Sequence, residues 1–194
     1  MKNFLITGFG RSGTLFLATV MNYSKKWTVL HEAGGYNDLK KKPTKSIQLR
    51  FNKDYYGEVN SYLRHHVLQL KVSKKATILR DPIDVWISMS NRKKPKLWNG
   101  VILEIENSYN EFLQTKKAGM KFFLFDRMVT EVSYLQGILE YVGIEDVVVT
   151  KEMQAKKVNV NKEIKYRKLD EFEPAVQDRI IKIRDIYKGI KNVI

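Results

Sequence analysis

The sequence predicts an α/β protein of three layers, with a mostly parallel central sheet between two layers of helices. Two observations predict it. Short, almost continuously apolar runs recur along the chain, the pattern of parallel strands buried on both faces. Between them lie longer stretches with apolar residues three and four apart, the pattern of helices that cover such a sheet.

The elements follow in order. Strands are expected at Phe4–Thr7, Thr28–His31, Gly57–Asn60, Ala76–Leu79 and Met120–Phe125. A helix follows the first strand over Leu15–Met21. Further helical stripes are Leu63, Val67 and Leu70; Ile102, Ile105, Tyr109 and Phe112; Met128, Val132, Leu135, Leu139 and Val142; and Val176, Ile180, Ile183 and Tyr187. Each stripe reads as a core-facing surface. Residues 33–46, 91–98 and 150–170 read as loops, and the 194 residues as one domain. Ligands of open α/β sheets bind outside the carboxyl ends of the strands, where such loops gather.

Composition narrows the function. With no cysteine, disulfides, thiolate zinc sites and thiol nucleophiles are excluded. An apolar fraction of 43% is too high for a disordered basic tail. The longest apolar runs, such as Phe122–Phe125, are far short of a membrane span, and the N-terminal residues lack a secretory pattern. The expectation is a cytoplasmic protein with no membrane partner. The net charge of +14 suggests a polyanion partner, yet residues 1–100 carry 19 Lys+Arg against 6 Asp+Glu, and residues 101–194 carry 16 against 15. The cause of the basic character belongs to the first half.

The first strand runs into Gly8-Phe9-Gly10-Arg11-Ser12-Gly13-Thr14 and then a helix. Glycines permit close approach of backbone to a ligand, and amides at a helix N-terminus favour an anion. Arg11 adds charge, and Ser12 and Thr14 add hydroxyls. An ordinary tight turn is the alternative reading. The loop departs from the nucleoside-triphosphatase pattern G-x-x-x-x-G-K-[ST], because Thr14 stands where that pattern has Lys. No acidic residue ends an apolar strand as a clear magnesium ligand; Asp81 and Asp126 come nearest. Both points weigh against a kinase.

A second anion site is readable in Arg80-Asp81-Pro82 and Ser88. Arg80 closes a buried strand, Asp81 suits a helix N-cap, and Pro82 suits the first helical position. An Arg at the strand end and a Ser two turns into the helix can grip one anion. Pairing of Arg80 with Asp81 or Asp84 is the alternative.

Together the two motifs resemble those of the sulfotransferase family. Arg11-Ser12-Gly13-Thr14 is similar to the family's [KR]-S-G-T loop, and Arg80-Asp81-Pro82 with Ser88, eight residues after Arg80, is similar to its R-[DN]-P…S motif. A softer likeness runs from Phe123-Leu124-Phe125-Asp126 to Tyr141-Val142-Gly143-Ile144. The resemblance implies a P-loop-like nucleotide-binding fold and 3'-phosphoadenosine-5'-phosphosulfate (PAPS) as co-substrate, with no metal. It implies that Gly10, Arg11, Ser12, Gly13, Thr14 and Leu15 hold the 5'-phosphosulfate and Arg80 and Ser88 the 3'-phosphate. It further implies in-line transfer of a sulfuryl group to a hydroxyl or amine, with Arg11 stabilising charge on the leaving phosphate. The family's C-terminal nucleotide loop has no clear counterpart; Arg167 and Lys168 are the nearest candidates.

An acceptor hydroxyl also needs a base. Glu32 follows the second strand, 21 residues after Arg11, a spacing similar to that of the glutamate base in several polysaccharide sulfotransferases. Its alternative role is a turn carboxylate paired with a lysine. Glu58, at the end of the third strand, is the second candidate base. His31 is expected on the opposite side from Glu32, and His65-His66 inside a helix. The basic runs Lys40-Lys41-Lys42 and Arg92-Lys93-Lys94-Pro95-Lys96 read as solvated charge, or as attractors of the donor and of an acidic small-molecule or glycan acceptor. Two other classes remain open, a basic nucleic-acid-binding protein and a small-molecule or nucleotide kinase.

Overall fold

β1, Asn3–Gly8, runs through the middle of a five-stranded sheet in a computed structural model that describes residues 1–34, 44–156 and 164–192. The other strands are β2 (Thr28–His31), β3 (Tyr56–Val59), β4 (Lys74–Leu79) and β5 (Lys121–Leu124). Their order is β2-β3-β1-β4-β5, and every pairing is parallel. Parallel neighbours require a crossover; between β3 and β4 it holds a 3-10 turn over Ser61–His66, and between the other strands it holds helices. These are α1 (Thr14–Met21), α2 (Thr44–Gln48), α3 (Pro82–Ser90), α4 (Trp98–Lys117), α5 (Phe125–Thr130), α6 (Val132–Val142), α7 (Lys151–Ala155) and α8 (Pro174–Lys191).

Successive strand side chains face opposite ways, so one strand feeds two cores. Phe4 and Ile6 of β1 pack with α1, α5 and α6 on one face, while Leu5 packs with Ile47, Phe51, Leu63 and Leu70 on the other. That second face continues into the core of α3, α4 and α8 around Trp86, Ile105, Phe112 and Ile183. All of β1 is buried, which explains its unbroken apolar run. Gly57 of β3 lies opposite Phe4 in register, and a Cβ there would come within 2.1 Å of the Phe4 ring.

Four local expectations change. Asn60 leaves the strand and caps a 3-10 turn over Ser61–His66, its side chain accepting from the Tyr62 amide at 3.0 Å. Leu63, Val67 and Leu70 are buried as expected, but they reach the core from that tighter turn and the residues after it rather than from an α-helix. The stripe from Met128 to Val142 is two helices, because Glu131 takes an extended conformation (φ −115°, ψ 109°) between α5 and α6. Apolar spacing continues across the break, so periodicity does not register it. Within the expected loops, residues 44–46 belong to α2, Pro95–Leu97 form a 3-10 turn leading into α4, and Lys151–Ala155 and Leu169–Glu171 are short helical turns. Among the described residues no helix is long and apolar enough to cross a membrane.

Gly57→Ala tests the strand register. Overpacking the buried Phe4 ring costs about 1–3 kcal/mol, read as a lowered urea midpoint with an unchanged slope.

Candidate active site

The carboxyl ends of the strands open into one cleft of about 1230 Å³. β1 delivers the phosphate-type loop to its centre. Arg11 and Gly13 both take left-handed backbone conformations (φ 73° and 85°), which fold the loop back over the strand end. At Gly13 a Cβ would meet the Phe125 ring at 2.6 Å, so only glycine allows the loop to lie on α5. Gly13 is also the N-cap of α1 and offers no side-chain cap, leaving the first-turn amides of the helix to a ligand. Gly10, Arg11, Gly13, Thr14 and Leu15 line the cleft.

Ser12 does not. Its hydroxyl is buried and donates to the Phe9 carbonyl at 2.6 Å, so it braces the loop from inside and is not presented to a ligand.

The second motif forms as its residues predict. Asp81 caps α3 by accepting from the Ile83 amide at 2.9 Å, with Pro82 in the first turn. Its other carboxylate oxygen holds Arg184 of α8 at 2.8 Å. The two motifs are not separate sites, however. Arg11 Nε donates to Ser88 Oγ at 2.8 Å, and Arg80 Nη1 donates to the Arg11 carbonyl at 2.6 Å. Arg11 therefore spans from its own loop to the helix of the second motif. The Arg80 guanidinium stacks over Phe125 at 4.2 Å, and its Nε is buried with no hydrogen-bond acceptor among the described residues.

Electrostatics mark this end of the cleft. Burial pushes the Arg11 guanidinium down to about 10, and the nearby charges of Arg92 and Arg80 push the same way. Burial lowers Arg80 as well, against Asp84 and Asp126, which favour its charged form. Cations held together against both burial and mutual repulsion are a feature of sites that receive an anion.

His31 and Glu32 also line the cleft. Glu32 has a left-handed backbone (φ 47°), uncommon outside glycine. The strand does not continue through it, so alternation ends, and His31 and Glu32 turn to the same side instead of opposite sides. His31 Nε2 lies 3.8 Å from Glu32 Oε1 and 3.2 Å from Thr14 Oγ1. Burial lowers the imidazole below its ordinary value, opposed by the Glu32 carboxylate, so His31 is neutral at pH 7. Ser61 Oγ donates to Glu32 Oε1 at 2.5 Å. The Tyr62 phenol is pushed up by burial and by the Glu32 carboxylate, to which it is hydrogen-bonded.

Glu58, the second candidate base, is fully buried and does not line the cleft. Arg50 pairs with it at 2.5 Å, and Tyr56 and Asn60 donate to its two oxygens at 2.6 and 3.1 Å. Burial pushes its carboxyl up against those partners. Within β3 it is held by these three partners, away from the cleft lining. His65 bonds Glu111 and His66 bonds Thr44, both away from the cleft. Arg167 and Lys168 are exposed and give their backbone amides to Glu171. Arg92 and Lys93 do line the cleft, whereas Lys40–Lys42 lie outside the described residues.

Sequence reading missed Phe125, Ser61, Tyr62, Arg64 and Glu104, all of which line the cleft or hold its residues. Only the position of Ser61 and Tyr62 just past a strand end signalled them.

No protein-family profile matches the sequence, nor does any curated protein sequence. Solved structures do match. A sulfotransferase from Alicyclobacillus acidocaldarius superposes with a TM-score of 0.58 at 12% identity, covering 98% of this chain and 94% of that one. The fold is that of a sulfotransferase. Mouse sulfotransferase SULT7A1, solved in complex with PAP, agrees, with a TM-score of 0.57 at 15% identity over 99% of this chain and 88% of that one. The sulfotransferase fold spans the whole α/β unit, including the loop after β1 and the Arg80 strand end.

The Glu58 cluster generates a test. Arg50→Ala leaves a buried carboxylate uncompensated and destabilises the protein by about 3–5 kcal/mol in chemical denaturation. Where the fold persists, ligand binding in the cleft is unchanged.

Proposed function

We propose that this protein is a sulfotransferase that moves a sulfuryl group from PAPS to a hydroxyl or amine acceptor. One observation carries the reading: Arg11, Arg80 and the uncapped N-terminus of α1 converge on one end of a cleft whose other wall presents a carboxylate, Glu32. A doubly phosphorylated donor fits this end. It supplies the acceptor that Arg80 Nε lacks and the negative charge that the crowded guanidiniums call for. Mouse SULT7A1, with the same fold, was solved with PAP.

The chain's own groups then divide the work. Arg80 grips the 3'-phosphate, with Ser88 released to it when Arg11 turns to the ligand. Arg11, the first-turn amides of α1 and the Thr14 hydroxyl hold the 5' side. Negative charge grows on the bridging phosphate oxygen as the sulfur–oxygen bond to it breaks, and Arg11 with those amides stabilises that charge. Glu32 takes the proton from the acceptor as the new bond to sulfur forms. Ser61 and Tyr62 hold its carboxylate in place, and neutral His31 adds no competing positive charge. Arg92 and Lys93 on the rim favour an anionic donor and suit an acidic small-molecule or glycan acceptor.

Calorimetric titration with PAP, beside ATP and a random DNA duplex, tests the donor. Micromolar binding of PAP is expected, and Arg80→Ala weakens it by at least about 30-fold, since truncating one partner of a buried charged hydrogen bond costs 2–5 kcal/mol. Tight duplex binding without a PAP response supports a nucleic-acid role instead; preference for ATP supports a kinase.

Transfer from PAPS to a phenol, an amino sugar and a uronic-acid polysaccharide tests the base. Glu32→Gln is expected to lower kcat by about 10²–10⁴-fold with PAP affinity retained. An unchanged kcat in that variant removes Glu32 from the chemistry.

A further inference from the structure

Arg64 is a charged side chain of the cleft wall that neither donor binding nor proton transfer uses. It lies in the 3-10 turn after β3, and its side chain is only 3% exposed. Each guanidinium nitrogen is committed. Nε donates to Ser108 Oγ at 2.9 Å, Nη1 to the Ser61 carbonyl at 2.8 Å, and Nη2 to Glu104 Oε1 at 2.7 Å. The Phe9 ring, at the start of the phosphate-type loop, lies 5.3 Å from its central carbon.

Burying a guanidinium is costly, and here the cost is met by contacts aimed in one direction. Ser108 and Glu104 are one helical turn apart on α4, and Ser108 itself donates to the Glu104 carbonyl at 2.7 Å. That long helix, packed into the core through Ile102, Ile105, Tyr109 and Phe112, is the fixed end. The other end is a single backbone carbonyl, that of Ser61. Ser61 is the residue whose hydroxyl donates to Glu32.

We propose that Arg64 is a positioning residue for Glu32. By holding the Ser61 carbonyl against α4, it sets the Ser61 hydroxyl, which in turn orients the carboxylate toward the acceptor. The inference rests on Glu32 being the base of the proposed transfer. A lysine keeps the charge but offers a single point in place of a planar fork, so it cannot make all three bonds at once.

Selective 13C labelling of glutamate carboxyls reads the orientation directly, with the Glu32 signal assigned by its loss in Glu32→Gln. Ser61→Ala and Arg64→Lys are expected to move that signal in the same direction. PAP affinity stays within about twofold, and kcat falls by about 10–100-fold, the scale of a small misplacement of a reacting group. The double variant is no slower than the slower single variant. The proposal is overturned if Ser61→Ala moves the Glu32 signal and Arg64→Lys does not. It is also overturned if Arg64→Lys weakens PAP binding in proportion to kcat. Should Arg64→Lys fail to fold, Ser108→Ala removes one anchor only; a partial shift of the Glu32 signal supports the proposal and no shift overturns it. If the wild type neither binds PAP nor transfers sulfate, yet the signal responds to both variants, the sulfotransferase reading fails while the positioning of Glu32 by Arg64 stands.

Discussion

The hydrogen bond from Arg80 to the backbone carbonyl of Arg11 joins the ends of the two central strands. Much of the site depends on it. β1 and β4 are adjacent and parallel, so their carboxyl ends open side by side, and each ends in an arginine-bearing segment. Two guanidiniums so close repel each other, and a buried setting sharpens the repulsion. The fold holds them by directing each to a neutral oxygen: Arg80 to a carbonyl, Arg11 to the Ser88 hydroxyl.

Carboxylates are nonetheless close by, and their placement matters. Asp81 is turned to its helix cap and to Arg184, and neither Asp84 nor Asp126 lines the cleft. They ease the burial of Arg80 from a distance without occupying its hydrogen-bonding face. Glu32 accepts from the Ser61 hydroxyl and lies beside His31, and Arg64 connects to it through Ser61.

Most of the architecture was legible in the sequence because buried parallel strands leave an unmistakable apolar run and helices a spaced one. The five expected strands form within a residue or so of their bounds, and Asp81-Pro82 starts a helix as its chemistry requires. What stayed hidden has a common cause: features set by backbone conformation rather than by side-chain type. Nothing in the letters announces a left-handed Glu32, yet that one torsion turns His31 and Glu32 to the same wall. The break at Glu131 leaves apolar spacing intact, so the pattern runs straight across it. Ser12 sits inside a motif that resembles a ligand-binding one, but a tight loop needs an internal brace, and its hydroxyl serves there. Glu58 and Glu32 have the same chemistry and similar places at strand ends; burial separates the fully enclosed Glu58 from the partly buried Glu32 that lines the cleft.

The uneven distribution of charge gains a physical meaning from this arrangement. Arg11, Arg64, Arg80, Arg92 and Lys93, all from the basic first half, line the cleft, and Lys156 is the described contribution to it from the second half. These cations are not equivalent to a polyanion-binding surface. A nucleic-acid backbone is bound by flexible, solvated lysines spread over a face, where each contact displaces counterions. Arg11, Arg64 and Arg80 are instead buried or half-buried and fixed by hydrogen bonds inside a concave site. Charge presented in that way discriminates by shape, because only a compact anion can enter and satisfy it. Under the proposed function, that excess serves a small, multiply charged donor in place of a nucleic acid, with Arg92 and Lys93 lining the same cleft.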